Sequence, residues 1–153
     1  ARGLEENGVI ATYKHLIANN MEFERKSAHG IIDENTLRDL YLRVFDKAFS
    51  LYKPGCVMTS YNPVNGIYPC ENSALLNDLL RGEWGFDGFV MTDWGSYDTA
   101  DSIRSVCAGT NLLTPGSKKH FRMILKAVKR NEISKAALQH SVKQIVKVLV
   151  RCI

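Results

Sequence analysis

Basic, phenolic and carboxylate side chains follow three short apolar runs of the sequence, and these residue types suit chemistry on a polar substrate. Lys14 and His15 follow the first run, Tyr61 closes the second, and Asp93 and Trp94 follow the third. An ionised carboxylate can attack an electrophilic carbon, while Lys and His donate hydrogen bonds to hydroxyl groups. If the runs are parallel strands, their carboxyl ends converge on one rim. The pattern therefore predicts a site at that rim.

Each of these residues also has an ordinary structural interpretation. An Asp that follows a strand is most often a helix N-cap, and a single His such as His15 is usually a structural residue. Tyr61 can equally belong to the core, and Arg25 can pair with Glu22 or Glu24 in a loop. The other three histidines have only the structural interpretation: His29, His120 and His140.

The elements that must position these side chains alternate between apolar runs and helical patterns. Such alternation predicts an α/β fold of parallel βα units with right-handed connections. Strands are predicted at 9–13, 56–61, 89–92 and 109–113. Four units are half of a TIM-type (β/α)8 barrel, which typically needs about 250 residues. The sequence therefore predicts a single partial barrel domain over 1–153.

Helix starts and buried faces follow from capping residues and a 3.6-residue spacing. The first helix begins near Asp33 or Asn35, the second near Asn72, and the third spans 98–108. Two helices follow, and Ser134 caps the last. The faces predicted to be buried carry Leu37, Tyr41, Val44, Phe45, Ala48 and Phe49 in the first helix, Leu75, Leu76, Leu79 and Leu80 in the second, and Leu138, Val142, Ile145, Val146, Leu149 and Ile153 in the last.

Four strands alone would leave two unpaired sheet edges and an open barrel interior. The abrupt start of the chain at Ala1, close to the first apolar run, also suggests a piece of something longer. We therefore expect a missing partner segment, self-association or low stability.

Composition narrows the function classes. The 45% apolar and 24% charged content is typical of a globular protein, and no apolar run has the length of a membrane span. Ten bases and one acid lie between Lys118 and Ile153, but no nucleic-acid motif accompanies them, so solvated helix faces are favoured over a nucleic-acid or membrane partner.

The four cysteines form no pattern typical of a metal site. Cys56 and Cys107 stand in apolar surroundings, which predicts buried, reduced thiols and favours a reducing, cytoplasmic compartment. Their even number leaves a disulfide open. The other two cysteines are Cys70 and Cys152. No metal or organic cofactor is predicted.

The sequence resembles glycoside hydrolase family 3, the family of bacterial, fungal and plant β-glucosidases and β-xylosidases. The resemblance covers nearly the whole chain in matching order and spacing, and its most specific stretch is 83–94. The segments that carry it are KHLIANNMEFER at 14–25, VMTSYNPVNG at 57–66 and LRGEWGFDGFVMTDW at 80–94.

The resemblance implies a role for each candidate. Asp93 resembles the catalytic nucleophile of a retaining β-glycosidase that acts on terminal β-linked glucose or a related sugar. Lys14, His15 and Arg25 resemble residues that bind sugar hydroxyls. Tyr61 resembles the phenol beside the nucleophile, and Trp94 an apolar wall of the pocket. Glu83 and Asp87 precede the third strand and Asp98 starts a helix, so none of these three is expected to act as a second catalytic carboxylate.

The sequence departs from the family pattern at three positions. Thr92 stands where the family usually has Ser, Asn111 where it has Asp, and Thr114 where it has Met. The Asn111 change puts in doubt the contribution of the fourth strand to the rim.

The resemblance also implies parts that the chain lacks: an Asp and an Arg from the first half of the barrel, and an acid/base from a second domain. The 14–20 segment does not match the N-acetylglucosaminidase branch, which carries its catalytic His on a barrel loop. The alternative to a hydrolase fragment is therefore a non-catalytic half-barrel that binds sugar or self-associates.

Overall fold

The structure is a computed structural model that describes residues 1–152, with side chains described as far as Arg151. Ile153, assigned by its spacing to a helix face, and the side chain of Cys152 lie outside the described part. Three parallel strands alternate with helices along the chain. The strands are β1 (Thr12–Leu16), β2 (Cys56–Thr59) and β3 (Phe89–Met91).

The helices lie between and after these strands. They are α1 (Arg2–Glu5), α2 (three continuous stretches, Glu34–Thr36, the π-helical Leu37–Leu42 and Arg43–Leu51), the π-helical α3 (Ala74–Glu83), α4 (Ser102–Cys107), α5 (Lys118–Lys129) and α6 (Lys135–Leu149). Short 3-10 turns occupy Pro69–Glu71, Ser96–Asp98 and Val150–Cys152.

The sheet order β1-β2-β3 confirms the predicted parallel α/β architecture. Thr12 pairs with Cys56 and Val57 with Val90, so the three strands run parallel towards one rim, with a register shift of β1 on β2 between Tyr13 and Leu16. Parallel neighbours joined through helices are the βαβ arrangement that the alternating pattern predicts.

The first strand begins at Thr12, not at Val9 as predicted. The Glu5 carboxylate accepts hydrogen bonds from the backbone N–H of Ala11, at 3.1 Å, and of Gly55. These contacts hold the segment before Thr12 beside the start of β2 but outside the ladder. Val9 is half exposed, and α1, which the sequence did not predict, precedes it.

The prediction of a fourth strand at 109–113 is wrong in extent. Leu112 forms a single parallel bridge with Met91, and the backbone N–H groups of Asn111 and Leu112 donate to the Val90 carbonyl. The Asn111 side-chain oxygen accepts from the Val90 N–H at 2.7 Å. A side chain thus takes the place of a backbone acceptor, and the ladder stops after one bridge.

Helix starts agree with the sequence analysis in three cases and differ in one. The second predicted helix begins at Ala74, and Asn72 Oδ1 accepts from the Leu75 N–H at 3.0 Å. Asp33 accepts from the Thr36 N–H, and Ser134 accepts from the Ala137 N–H, as expected for N-caps. The third helix begins at Ser102 instead of Asp98, because Asp101 caps it by accepting from the backbone N–H groups of Ile103 and Arg104.

The main core lies between the sheet and helices α2 and α3. The predicted stripe of α3 is confirmed, since all four of its leucines are buried. Phe49 of α2 stacks on Trp84 with ring centroids 5.3 Å apart. Val44, predicted to face the core, is instead 64% exposed, and the buried α2 residues are Leu42 and Phe49.

A smaller core joins the sheet to α6, and it corrects the predicted face of that helix. Val148 and Ser141 are buried, and Ile145 packs against Cys56 and Phe89. Val142, Val146 and Leu149 are about half exposed. The described face is therefore offset from the predicted one, because the contacts with β2 and β3 select the stripe that carries Ser141, Ile145 and Val148.

Three cysteines are described, and all are free thiols. Cys56 and Cys70 are buried, and burial raises the pKa of Cys56 to about 12 and that of Cys70 to about 11. Cys107 is exposed, contrary to prediction, since it lies at the C-terminal end of α4.

Among the described helices, none combines the length and hydropathy that a bilayer crossing requires.

Candidate active site

Asp93 lies one residue beyond Thr92 at the carboxyl end of β3, on the rim where the sequence places it. One carboxylate oxygen, Oδ1, accepts from the Trp94 backbone N–H at 2.7 Å. The other, Oδ2, lies 3.3 Å from Nε2 of His15, which is part of β1. The structure therefore brings the ends of two strands together around this carboxylate, whose side chain is only 13% exposed.

Tyr61 follows β2 and is buried at the same rim. Its phenol donates a hydrogen bond to the carbonyl of Trp94. Burial raises the pKa of Tyr61, the charge of Asp93 raises it further, and the Arg25 guanidinium opposes both. A neutral phenol therefore lies beside the Asp93 carboxylate.

Arg25 combines two contacts. Its guanidinium carbon lies 4.5 Å from the centre of the Tyr61 ring, a cation–π arrangement, and Nη1 pairs with the Glu22 carboxylate at 2.9 Å. The ion pair that the sequence offered as an ordinary interpretation is therefore present. The ring contact nevertheless holds Arg25 at the rim beside Tyr61.

Lys14 and Trp94 are the exposed members of the predicted set. Lys14 points into an open groove of about 520 Å³ that it lines with His15, Asn19 and Tyr41. Within residues 1–152, Lys14 forms no ion pair with Asp93. The side chain of Trp94 is 66% exposed, so its indole presents a free apolar surface at the rim.

The buried hydroxyl groups of Thr92 and Thr114 are in contact beneath Asp93, and sequence reasoning did not find this contact. The Thr114 N–H donates to Thr92 Oγ1 at 2.9 Å, and the Thr114 hydroxyl donates to the Thr92 carbonyl. The Thr114 carbonyl in turn accepts from the Gly95 N–H at 2.9 Å. Thr92 and Thr114 both depart from the family pattern, and this shared departure is the sequence feature that could have indicated their contact.

Lys26 is a second residue that the sequence analysis missed. Its Nζ donates to the Gly95 carbonyl at 3.2 Å and pairs with the Asp98 carboxylate at 2.9 Å. Gly95 has a positive φ of 83°, which allows the chain to turn sharply after Trp94. Lys26 thus ties the loop after β1 to the turn after Asp93. Lys26 is about seventy positions away from Gly95 and Asp98 in the sequence, so no local sequence pattern indicates these contacts.

The three carboxylates considered as second catalytic groups have other partners. Glu83 lies 3.7 Å from Arg38, Asp87 pairs with Lys147, and Asp98 pairs with Lys26. In the described part of the chain, no cluster of three or more His, Cys, Asp or Glu side chains has the arrangement of a metal site.

The family model described as "Glycosyl hydrolase family 3 N terminal domain" matches residues 1–148. Among curated relatives, "Probable beta-glucosidase J" of Aspergillus fumigatus is 39% identical over 150 residues, covering 96% of this chain and 17% of its own length. "Probable beta-glucosidase I" of Aspergillus niger is 40% identical over 151 residues, covering 97% of this chain and 18% of its own length.

Solved structures show the same similarity. Beta-glucosidase 3B from Thermotoga neapolitana in complex with glucose superposes with a TM-score of 0.91 at 39% identity, covering 97% of this chain and 22% of that protein. Beta-glucosidase from Kluyveromyces marxianus in complex with glucose gives a TM-score of 0.90 at 32% identity, covering 99% of this chain and 18% of that protein. The chain thus spans about a fifth of the length of these relatives.

Proposed function

Because the chain belongs to glycosyl hydrolase family 3, matching its N-terminal domain, we propose that it supplies the nucleophile side of a retaining β-glycosidase active site. The substrate is a terminal β-linked glucose or a related sugar. The observation that carries the proposal is the juxtaposition of the largely buried Asp93 carboxylate with His15, 3.3 Å away on β1.

In the proposed reaction, a carboxylate oxygen of Asp93 attacks the anomeric carbon and forms a glycosyl ester while the bond to the leaving oxygen breaks. A separate carboxylic acid, about 5–5.5 Å from the nucleophile in retaining enzymes, gives its proton to that oxygen. Water then attacks the same carbon, loses its proton to the resulting carboxylate, and releases Asp93. The two displacements together retain the anomeric configuration.

The neighbours of Asp93 suit this role. The Trp94 N–H donates to Oδ1 and so orients the carboxylate. The His15 ring is about one quarter exposed and can donate to a sugar hydroxyl. The relatives solved with glucose support a sugar as the ligand. In the proposal, His15, Arg25 and the nearby Lys14 bind hydroxyls, and Trp94 packs against the apolar face of the ring.

In this proposal, the catalytic acid/base is a residue outside residues 1–153. The carboxylates of Glu83, Asp87 and Asp98 are each paired with a basic side chain, so we assign none of them to proton transfer. We propose that residues 1–153 form one partial barrel domain. A further barrel segment then completes the sugar site, and a second domain supplies the acid.

A second candidate is a non-catalytic half-barrel that binds sugar or self-associates. One observation favours it: Leu40 and Val44 of α2 are each 64% exposed, and they border the groove that Lys14 and His15 line. Such an apolar face beside β1 suits a missing segment or a second copy of the chain.

A mechanism-based label tests the nucleophile in the full-length protein. A 2-deoxy-2-fluoro-β-glucoside with a dinitrophenolate leaving group needs little protonation, so trapping depends mainly on the attacking carboxylate. We expect mass spectrometry to find the fluorosugar on the peptide that contains Asp93. The Asp93→Asn variant should stay unlabelled, whereas Asp46→Asn, a matched change on the exposed side of α2, should be labelled normally.

Labelling of Asp93→Asn, or labelling of another carboxylate in the native protein, would refute the assignment. Size-exclusion chromatography and aryl-glucoside hydrolysis by the 153-residue chain separate the two candidate functions. General acid catalysis contributes about 10²–10⁴ in rate, so we expect this chain alone to be nearly inactive. Turnover by the chain alone would rule out the non-catalytic module, and an inert dimer would support it.

A further inference from the structure

Arg81 is a largely buried cation whose described partners are all neutral. The side chain leaves α3, and its Nη1 donates to the Leu76 carbonyl at 3.0 Å. Its Nη2 donates to the Gly109 carbonyl at 3.0 Å and to Asn111 Oδ1 at 2.9 Å. Burial lowers the pKa of Arg81, because few waters reach the charged form. In the described structure no carboxylate pairs with this guanidinium.

The guanidinium lines a cavity of about 320 Å³ on the outer side of the sheet, between α3, the end of α4 and α6. One water occupies about 30 Å³ in the liquid, so the cavity has room for several small solutes. Its lining contains no acidic residue. The polar residues that line it are Asn77, Arg81, Asn111, His140 and Ser141.

The Asn111 amide has a defined orientation in this cavity. Its oxygen accepts from Arg81 and from the Val90 N–H, and its Nδ2 lies 3.2 Å from Ser141 Oγ as a donor. Asn111 therefore supplies the shape of a carboxylate partner without its charge. The positive charge of Arg81 is hydrogen-bonded but not neutralised.

We propose that the cavity beside Arg81 and Asn111 binds a small oxyanion, a carboxylate or a phosphate, which supplies the missing negative charge. Nη2 already donates both of its hydrogens, to Gly109 and Asn111, and Nη1 donates one to Leu76. The donors without an acceptor in the described structure are therefore Nε–H and the second Nη1–H, and a charge-assisted hydrogen bond from either is stronger in a poorly solvated site. Ser141 and His140 add polar groups to the same wall. The site is independent of the assignment of Asp93 as nucleophile.

Anion binding in the cavity is coupled to the stability of the sheet through Asn111. Since Oδ1 of that residue accepts from both Arg81 and the backbone of β3, an anion that neutralises Arg81 stabilises the same hydrogen-bond cluster that ends the ladder. We therefore expect the anion to raise thermal stability.

The test uses sodium acetate and inorganic phosphate at constant ionic strength. Thermal unfolding of the full chain measures the stabilisation by each anion, and calorimetric titration measures its binding. The diagnostic variant is Asn111→Asp, because its carboxylate accepts from Arg81 and Val90 as the amide does and adds the internal charge. We expect saturable binding by the native chain, at least about tenfold weaker binding by Asn111→Asp, and a higher unfolding temperature of that variant without added anion.

The matched control is Arg122→Gln, which removes a cation from the exposed face of α5 and should keep the native response. A stronger response to acetate than to phosphate identifies a carboxylate ligand, and the reverse order identifies a phosphate. The proposal is overturned if the native chain shows no saturable response, or if Asn111→Asp responds as the native chain does. Both results are readable without any glycosidase assay.

Discussion

Two segments of the molecule border the Asp93 carboxylate, and they are held in different ways. Segment 92–95 contains the nucleophile candidate, and hydrogen bonds from the Thr114 hydroxyl and the Tyr61 phenol fix its backbone. Segment 19–29 carries Arg25 and is mostly exposed: Phe23 is 76% exposed and the Arg25–Glu22 pair lies in solvent. Lys26 joins the two segments, since its Nζ donates to the Gly95 carbonyl at 3.2 Å.

The difference shows how one site can combine rigid and adaptable parts. A buried hydrogen bond contributes to stability and its loss leaves an unsatisfied group, whereas an exposed ion pair contributes about 0–1 kcal/mol. The position of Asp93 therefore depends on the folded interior. The position of Arg25 depends on a mostly exposed loop. Each prediction below tests one side of this comparison.

The largest effect is expected from Thr114→Val. The change removes the hydroxyl that donates to the Thr92 carbonyl, and Thr114 is only 9% exposed. We expect the free energy of unfolding to fall by about 1–3 kcal/mol, measured by urea denaturation. Thr99→Val serves as the control: Thr99 is an exposed residue of the nearby turn, and its hydroxyl makes only a long hydrogen bond of 3.3 Å to the Ser96 carbonyl. Its loss should cost less than about 0.5 kcal/mol. Equal losses in both variants would contradict the rigid-segment interpretation.

An intermediate effect is expected on the ionisation of Tyr61. Its raised pKa means that the neutral phenol stabilises the fold below about pH 10, and that this contribution is lost as the pH rises through the folded value. Asp93→Asn should lower the pKa of Tyr61 while leaving it above the ordinary value, because burial remains. Ultraviolet titration against a Tyr61→Phe reference measures this. An unchanged titration in Asp93→Asn would place the phenol away from the carboxylate.

The smallest effect on stability is expected from Arg25→Gln. Its side chain is 42% exposed, so the free energy of unfolding should change by less than about 0.5 kcal/mol. If Arg25 binds a sugar hydroxyl, KM in the full-length protein should nevertheless rise by about tenfold. Arg38→Gln removes a similar exposed pair on α2 and should leave KM unchanged. An unchanged KM in Arg25→Gln would limit that residue to a loop contact.

Several elements could be predicted because their signals are local. The leucine stripe of α3 and the caps at Asp33 and Ser134 depend on neighbours within one or two turns. The rim position of Asp93 follows from its place after a strand. The face of α6 could not be predicted, since several stripes of that helix are apolar and only contact with β2 and β3 selects one.

The amino-acid sequence alone specifies the residue types at the ends of three strands, the family pattern that contains them and the parallel order of the βα units. These properties are encoded by local periodicity and by motif. Three contacts arise only in the folded chain: Thr114 with the segment that contains Asp93, Lys26 with Asp98, and Asn111 with both Val90 and Arg81. They join residues that are 21 to 72 positions apart, so their energies depend on burial and distance, which no local pattern of side chains expresses.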